Sequence, residues 1–273
     1  MTRPKSKPQS FTTPTTATAE ASTRLLGAHS SGHPCAPVRD LIGDDIVAAY
    51  TVQNTLTEKW LAEGRRIVGR KIGLTNRAGQ QRVGADTPDV GMLFADMAVP
   101  DGEEIPPGTV LQPMVEAEVA IVLEHDLVHE RHTVADLIAA TAFALPAIEV
   151  AGSRIKDWDI TLADTVVDNA SSGRYVLGTR PVSLHDVDLR AVTMTLDRRG
   201  EQVATGTGAN CLGHPLNALL WLADTAVRSS RPLKAGDTVI TGTLGQVVPA
   251  EPGDMLEATI EGLGDVRVAF GKA

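Results

Sequence analysis

Aromatic residues are scarce in this chain, making up 3% of its 273 residues. A core with so few rings must be built from Val, Leu, Ile and Ala. The 42% hydrophobic content is ample for one large domain, or for a small domain leaning on a larger one. Cysteine is nearly absent. Cys35 and Cys211 form no CxxC pair and have no metal-type spacing, which argues against a disulfide framework and for a reduced cytoplasmic setting. Positive charge is in deficit: at net −9 and without a basic stripe, the chain is a poor candidate for binding nucleic acid. No apolar run approaches the ~18 residues of a membrane helix. No P-loop, dinucleotide-binding glycine fingerprint, Gly-x-Ser-x-Gly elbow or His-Glu-x-x-His motif is present, nor a repeat with a period of about 20–50 residues.

What is abundant is turn chemistry. The 25 Gly and 16 Pro are spread through the chain and suggest a β-rich fold with many turns. Residues 1–36 are rich in Thr, Ser, Pro and Ala and are expected to form a disordered tail. Arg3, Lys5, Lys7 and Arg24 against Glu20 give this segment +3, leaving −12 for the rest. A basic, acid-poor start can mark a transit peptide, but a dispensable tail or a start codon placed too early is the favoured reading. Helical periodicity runs from Asp44 to Glu63. Arg66 to Leu74 reads as a strand, and Asn76 caps a short helix ending at Gly84. Thr133 and Asp136 resemble a capping box opening a helix to about Ala144, after which Pro146 restarts the chain and Ala147–Val150 form a short buried strand. Hairpins are expected around Asp197–Gly200 and Gly262–Gly264, and a helix from Pro215 to about Arg228. The pattern is mixed α+β without βαβ winding.

The most informative stretch is Gln112-Pro-Met-Val-Glu-Ala-Glu-Val-Ala-Ile-Val-Leu123. Its alternation makes it a strand with Glu116 and Glu118 on one face and Ala117, Val119, Ile121 and Leu123 on the other. Two carboxylates so placed are half of a site for a hard cation such as Mg²⁺ or Mn²⁺, although two surface glutamates on a half-solvated strand would look the same. Glu149, inside the apolar run Leu145–Ala151, is the candidate third ligand, because a buried charge there needs a metal or a basic partner. Arg154 and Lys156 are the near alternatives. Lys71 lies between Gly69 and Gly73 on one strand face, where missing side chains leave room for a ligand. A strand-edge lysine in solvent is the competing reading. Asp89 follows Pro88 in what could be a simple turn, and Ser171 sits in a polar loop suited to an anion or to mere connection. His125, His129 and His132 read as a solvated loop.

Taken together, these segments resemble the 2-keto-4-pentenoate (2-hydroxypenta-2,4-dienoate) hydratases of the fumarylacetoacetate hydrolase superfamily. The resemblance is carried by Val68-Gly-Arg-Lys-Ile-Gly-Leu-Thr75, Thr87-Pro-Asp-Val-Gly-Met-Leu-Phe-Ala-Asp-Met97, Leu111-Gln-Pro-Met-Val-Glu-Ala-Glu118, Leu145-Pro-Ala-Ile-Glu-Val-Ala-Gly-Ser-Arg154, Asp164-Thr-Val-Val-Asp-Asn-Ala-Ser-Ser-Gly173, Cys211-Leu-Gly-His-Pro-Leu-Asn217 and Ile260-Glu-Gly-Leu-Gly264. It spans residues 37–270 in order and does not cover residues 1–36. It implies an α+β fumarylacetoacetate-hydrolase-like fold, with a mixed β-roll catalytic domain over residues 101–273 and a small N-terminal α/β cap over 37–100. It also implies Mg²⁺ or Mn²⁺ held by Glu116, Glu118 and Glu149, and active-site roles for Lys71, Asp89 and Ser171. A 2-hydroxydienoate or 2-oxo acid substrate and a homo-oligomer, pentamer or decamer, follow from the same resemblance. The implied reaction is ketonisation of 2-hydroxypenta-2,4-dienoate and addition of water at C4, giving 4-hydroxy-2-oxopentanoate in aromatic meta-cleavage catabolism.

Two positions depart from the pattern. Val90 stands where relatives often carry Phe, which would alter an apolar wall and hence substrate size, and Thr87 replaces a frequent Gln. Three other functions compete. A 4-oxalocrotonate decarboxylase would share the metal site but form its enolate by losing CO₂. A hydratase for longer dicarboxylate dienoates would need a further cationic contact, and none is identifiable. A non-catalytic partner would not need all three glutamates, which are present.

Overall fold

The structure is a computed structural model and describes residues 14–272. The chain opens with α1 (Thr16–Ser31), α2 (Arg39–Ile42) and α3 (Ile46–Ala62). Next come β1 (Ile67–Gly73), α4 (Arg77–Arg82), β2 (Asp89–Phe94), β3 (Ala98–Val99), β4 (Glu104–Ile105) and the long β5 (Met114–Leu123). Then α5 (Val134–Ala140) leads directly into β6 (Thr141–Ala151), and α6 (Leu162–Val167) precedes β7 (Arg174–Leu177). The hairpin of β8 (Thr193–Arg198) and β9 (Glu201–Thr207) is followed by α7 (Pro215–Arg228), β10 (Thr238–Thr243), β11 (Val248–Pro249), β12 (Met255–Ile260) and β13 (Gly264–Phe270).

The strands form two sheets. The larger has the order β2-β1-β10-β5-β6-β7-β3, with β11 alongside β5, and the smaller β4-β13-β12-β8-β9. One face of β5 (Ala117, Val119, Ile121 and Leu123) packs into a core shared with the smaller sheet and with Leu219, Leu222 and Ala223 of α7. The other face of the large sheet, through Ala120, Ala147 and Ile240, packs against Leu25 of α1, Leu56 and Trp60 of α3 and Val166 of α6. The result is a layered α+β architecture, as the sequence pattern implies. Both faces of β5 are covered, so the glutamates it carries are not displayed on an open sheet.

Local start signals account for the helices beside the site. Asp45 caps α3 by accepting from the Val47 and Ala48 amides, and Asn76 caps α4 by accepting from Gly79 N. Thr161 and Asp164 form a capping box for α6, and Pro215 opens α7.

The structure corrects four expectations. The tail expected to be disordered over residues 1–36 holds a capped sixteen-residue helix, α1, with Ala21, Leu25 and Ala28 buried. Residues 1–13, with Arg3, Lys5 and Lys7, lie outside the described residues. The helix opened by Thr133 ends at Ala140, because Thr141–Ala144 pair with Leu123–Ile121 as the start of β6. Pro146 does not restart the chain but lies inside β6, opposite Val119, with its carbonyl accepting from Gly178 N. His132 is buried: its backbone amide and ring Nδ1 both bond Asp224 Oδ1 of α7, at 2.9 and 3.0 Å.

Candidate active site and metal centre

Alternation along β5 puts Glu116 and Glu118 on one face, and the β5–β6 register places Glu149 directly opposite Glu116. One carboxylate oxygen from each of the three lies within 4.8 Å of the others. Lys71 joins them from β1, its Nζ 3.2 Å from Glu149 Oε1. Asp89, at the start of β2, faces Gly73 across the β1–β2 ladder, and a Cβ at Gly73 would lie 2.2 Å from Asp89 Oδ1 and 3.4 Å from Lys71 Nζ. Asp89 Oδ1 therefore occupies the place of a Gly73 side chain and the Thr238 backbone of β10 that of a Gly69 side chain, while Lys71 and Gly73 still line the cavity. Lys71 is 4% exposed on an interior strand, which removes the solvent-edge reading. Glu149 takes Lys71 as its basic partner, whereas Arg154 pairs with Asp168.

Ser171 arrives on an unusual turn. Asn169, Ala170 and Ser171 have φ of 55°, 51° and 55°, three successive non-glycine residues in the left-handed region. Each costs on the order of 1 kcal/mol, so the turn must be held by its surroundings. Buried Arg154 donates Nε to the Asp168 carboxylate, Nη2 to the Asp168 carbonyl and Nη1 to the Ser172 carbonyl. The Asn169 side chain bridges the Met92 backbone, accepting from its N at 2.7 Å and donating to its O at 3.0 Å. Gly91 permits the approach, since a Cβ there would lie 2.4 Å from both Asn169 O and Ser172 Oγ. These anchors escaped the sequence reading, in which Arg154 entered only as a partner for Glu149. A left-handed turn without glycine carries no sequence signal.

All six residues line one cavity of about 120 Å³, small enough to suit a short organic acid. Four of its oxygens, Thr75 Oγ1, Asp89 Oδ1, Glu149 Oε1 and Ser171 Oγ, are buried and have no hydrogen-bond partner among the described residues. The Lys71–Glu149 contact is thus an ion pair without hydrogen-bond alignment. Buried polar atoms left unpaired cost about 1–3 kcal/mol each and call for a ligand. Three hard oxygen donors around one point suit a divalent cation such as Mg²⁺, Mn²⁺ or Ca²⁺. Leu74, Trp158 and Ala170, also with positive φ, line the same cavity as Ser171. Val90 does not: its side chain is buried on the opposite side of β2 and its carbonyl accepts from Gln53 Nε2 at 2.8 Å.

Electrostatics follow from burial. Desolvation, then the proximity of Glu149, pushes the Glu116 carboxyl up to about 7. Desolvation with Glu149 and Glu116 nearby raises Glu118 well above the carboxylate range. Desolvation also raises Glu149 and Asp89, with Lys71 pulling both back. Burial works against the Lys71 ammonium, but Glu149, Asp89, Glu116 and Glu118 outweigh it and hold its pKa above that of an ordinary lysine.

The pattern of the fumarylacetoacetate (FAA) hydrolase C-terminal family matches residues 66–270. The chain belongs to the fumarylacetoacetate hydrolase family. Within it, the chain is 55% identical over 253 residues to 2-keto-4-pentenoate hydratase 2 of Dechloromonas aromatica, covering 92% of this chain and 97% of that one. It is 54% identical over 260 residues to the TodF product hydratase of Pseudomonas putida, covering 95% and 97%. That second match leaves about 13 of the 273 residues outside, so it reaches into residues 1–36. The fold superposes with a TM-score of 0.89 on 4-oxalocrotonate decarboxylase from Pseudomonas putida G7, solved with magnesium and adipate, at 32% identity over 96% of this chain and 100% of that one.

Proposed function

We propose that this chain is a divalent-metal-dependent hydratase that converts 2-hydroxypenta-2,4-dienoate to 4-hydroxy-2-oxopentanoate. The observation that carries the reading is the convergence of three carboxylates, an ammonium, a fourth carboxylate and an unpaired serine hydroxyl on one small cavity. The hydratase names and high identity of the relatives support it against the decarboxylase reading.

Glu116, Glu118 and Glu149 would hold Mg²⁺ or Mn²⁺. Bound there, the ion supplies a chelation point for the 2-oxo acid end of the substrate and Lewis-acid stabilisation of charge on its C2 oxygen. The remaining chemistry is proton movement. Ketonisation takes the proton from the C2 hydroxyl and adds one at C5; water then bonds through oxygen to C4, losing a proton, while C3 gains one. In this reading Lys71, held as an ammonium by its acidic neighbours, would donate, and Asp89, whose Oδ1 is unpaired, would accept. Ser171 Oγ, unpaired, would orient the substrate carboxylate by hydrogen bonding.

Absorbance of freshly prepared 2-hydroxypenta-2,4-dienoate, followed with and without Mg²⁺ or Mn²⁺, tests the reading. Metal-dependent loss of the dienol band, with 4-hydroxy-2-oxopentanoate identified by NMR, is the expected result. An untouched dienoate, with CO₂ released from 2-oxohex-3-enedioate, would replace it with the decarboxylase.

The proposal extends to a cytoplasmic homo-oligomer. Free Cys35 and Cys211 suit a reducing compartment, and no described helix is long and apolar enough to cross a membrane. Val134 and Ile138, exposed one turn apart on α5, offer an apolar contact between copies. Sedimentation at micromolar concentration tests the assembly.

A further inference from the structure

Buried Glu118 and Glu149, with half-buried Glu116, form the floor of the cavity, but one of its lining residues, Arg82, is exposed and stands at its mouth. Arg82 ends α4, and its guanidinium carbon lies 5.9 Å from the centre of the Trp158 ring, which also lines the cavity. Among the described residues it has no acidic partner. Gly79 lines the cavity from the same helix, three positions earlier and so on the same face. Packing does not require glycine there. Its φ is not left-handed, and a Cβ would meet nothing closer than Asn76 Oδ1 at 3.4 Å. Glycine is disfavoured within a helix. What the missing side chain does is widen the cavity one turn away from an unpaired cation.

We infer that Gly79 and Arg82 form a subsite for the distal end of the substrate, and that the chain accepts dienoates of about six carbons ending in a second carboxylate. This rests on the reading of the glutamate floor as a 2-oxo acid site. Gly79 gives the longer chain room, and Arg82, stacked on Trp158, offers its planar donors to the terminal carboxylate. Nothing in the sequence singles out Arg82 as the cationic contact a dicarboxylate needs. The fold supplies it, by bringing α4 over the cavity built from β1, β5 and β6.

Calorimetric titration of the Mg²⁺-loaded chain with pyruvate, 2-oxohexanoate and 2-oxoadipate tests this without turnover. All three carry the same chelating end, and the last two differ only in the terminal carboxylate. Expected for the natural chain is 2-oxoadipate binding about two- to fivefold tighter than 2-oxohexanoate, the range of a partly exposed ion pair, with the advantage shrinking in 0.5 M NaCl, on the order of the ionic strength at which such pairs are screened. Arg82→Gln should bring 2-oxoadipate down to the level of 2-oxohexanoate. Gly79→Val should weaken both six-carbon acids relative to pyruvate. Equal binding of the two six-carbon acids to the natural chain, or a preference that survives Arg82→Gln, would overturn the subsite and leave the metal-site reading standing. Binding of none of the three would overturn both.

Discussion

Glu149 faces Glu116 directly across the β5–β6 ladder, two like charges where a sheet ordinarily places complementary ones. With Glu118 alongside, and Lys71 and the Gly242 amide offsetting part of the charge, the metal-free site works against the fold. Glu116→Gln should therefore stabilise the metal-free protein by about 1 kcal/mol, which is about 2–4 °C in Tm for a chain near this size. The same change should abolish the Tm rise that Mg²⁺ gives the natural chain by binding its folded state. Thermal unfolding with Mg²⁺ and with chelator checks both parts, and a Gln variant that still gains the full Mg²⁺ shift would remove Glu116 from the ligand set.

The three-glutamate cluster was legible in the sequence because it obeys strand periodicity. Glu116 and Glu118 share a face by alternation, and Glu149 is conspicuous as the one acid in an apolar run. The register that sets Glu149 against Glu116 is a long-range property and was not legible. Nor was α1, since its buried residues, Thr18, Ala21, Ser22, Leu25 and Ala28, include one large apolar side chain and its stability comes from packing on α3 rather than from a strong apolar stripe. His132 hides its partner in the same way, because Asp224 lies 92 residues away on α7. The turn that carries Ser171 was invisible for a different reason: Asn-Ala-Ser holds a glycine-like conformation that only tertiary anchors enforce.

Proton competition should make metal binding steeply pH-dependent. Burial, then Glu149, pushes Glu116 up to about 7, so below that pH the cation must displace a proton. Apparent Mg²⁺ affinity should rise about tenfold per unit or more as pH increases from 6 towards 7, with the raised Glu118 carboxyl adding to the slope. Stability of the metal-free chain should move the opposite way. A carboxyl whose folded pKa is raised binds its proton more tightly in the folded state, so stability falls as pH climbs from the ordinary value of 4.5 through 7. Mg²⁺ titrations and chelated melts across pH 5–8 read the two slopes, and parallel slopes would contradict the account.

Val90 should govern packing, not chain length. Its side chain points away from the cavity into the core, close to the contact between Gln53 and its own carbonyl. Val90→Phe should cost about 1–3 kcal/mol by overpacking and leave the relative affinities for pyruvate and 2-oxohexanoate as they are. Urea unfolding and calorimetry separate these effects. A changed affinity ratio would mean that β2 transmits core volume to the site.

Arg154 tests whether the strained turn serves catalysis. Its guanidinium is the only donor set among the described residues that reaches the Asp168 carboxylate and both the Asp168 and Ser172 carbonyls at once. Removing it in Arg154→Ala strands the buried Asp168 carboxylate and should cost about 3–5 kcal/mol, enough to obscure any functional effect. Arg154→Lys is the cleaner probe. It keeps the charge beside Asp168 but cannot span two carbonyls, so the turn is free to relax out of its left-handed conformation. Glu116, Glu118 and Glu149 sit on β5 and β6, outside the turn, so Mg²⁺ affinity should stay near that of the natural chain. Ser171, displaced by about an ångström, should lose its grip on the substrate, and turnover should fall on the order of 100-fold. Full turnover in Arg154→Lys would show that Ser171 needs no clamp, and a matching loss of Mg²⁺ affinity would show that the clamp supports the whole cavity rather than the serine.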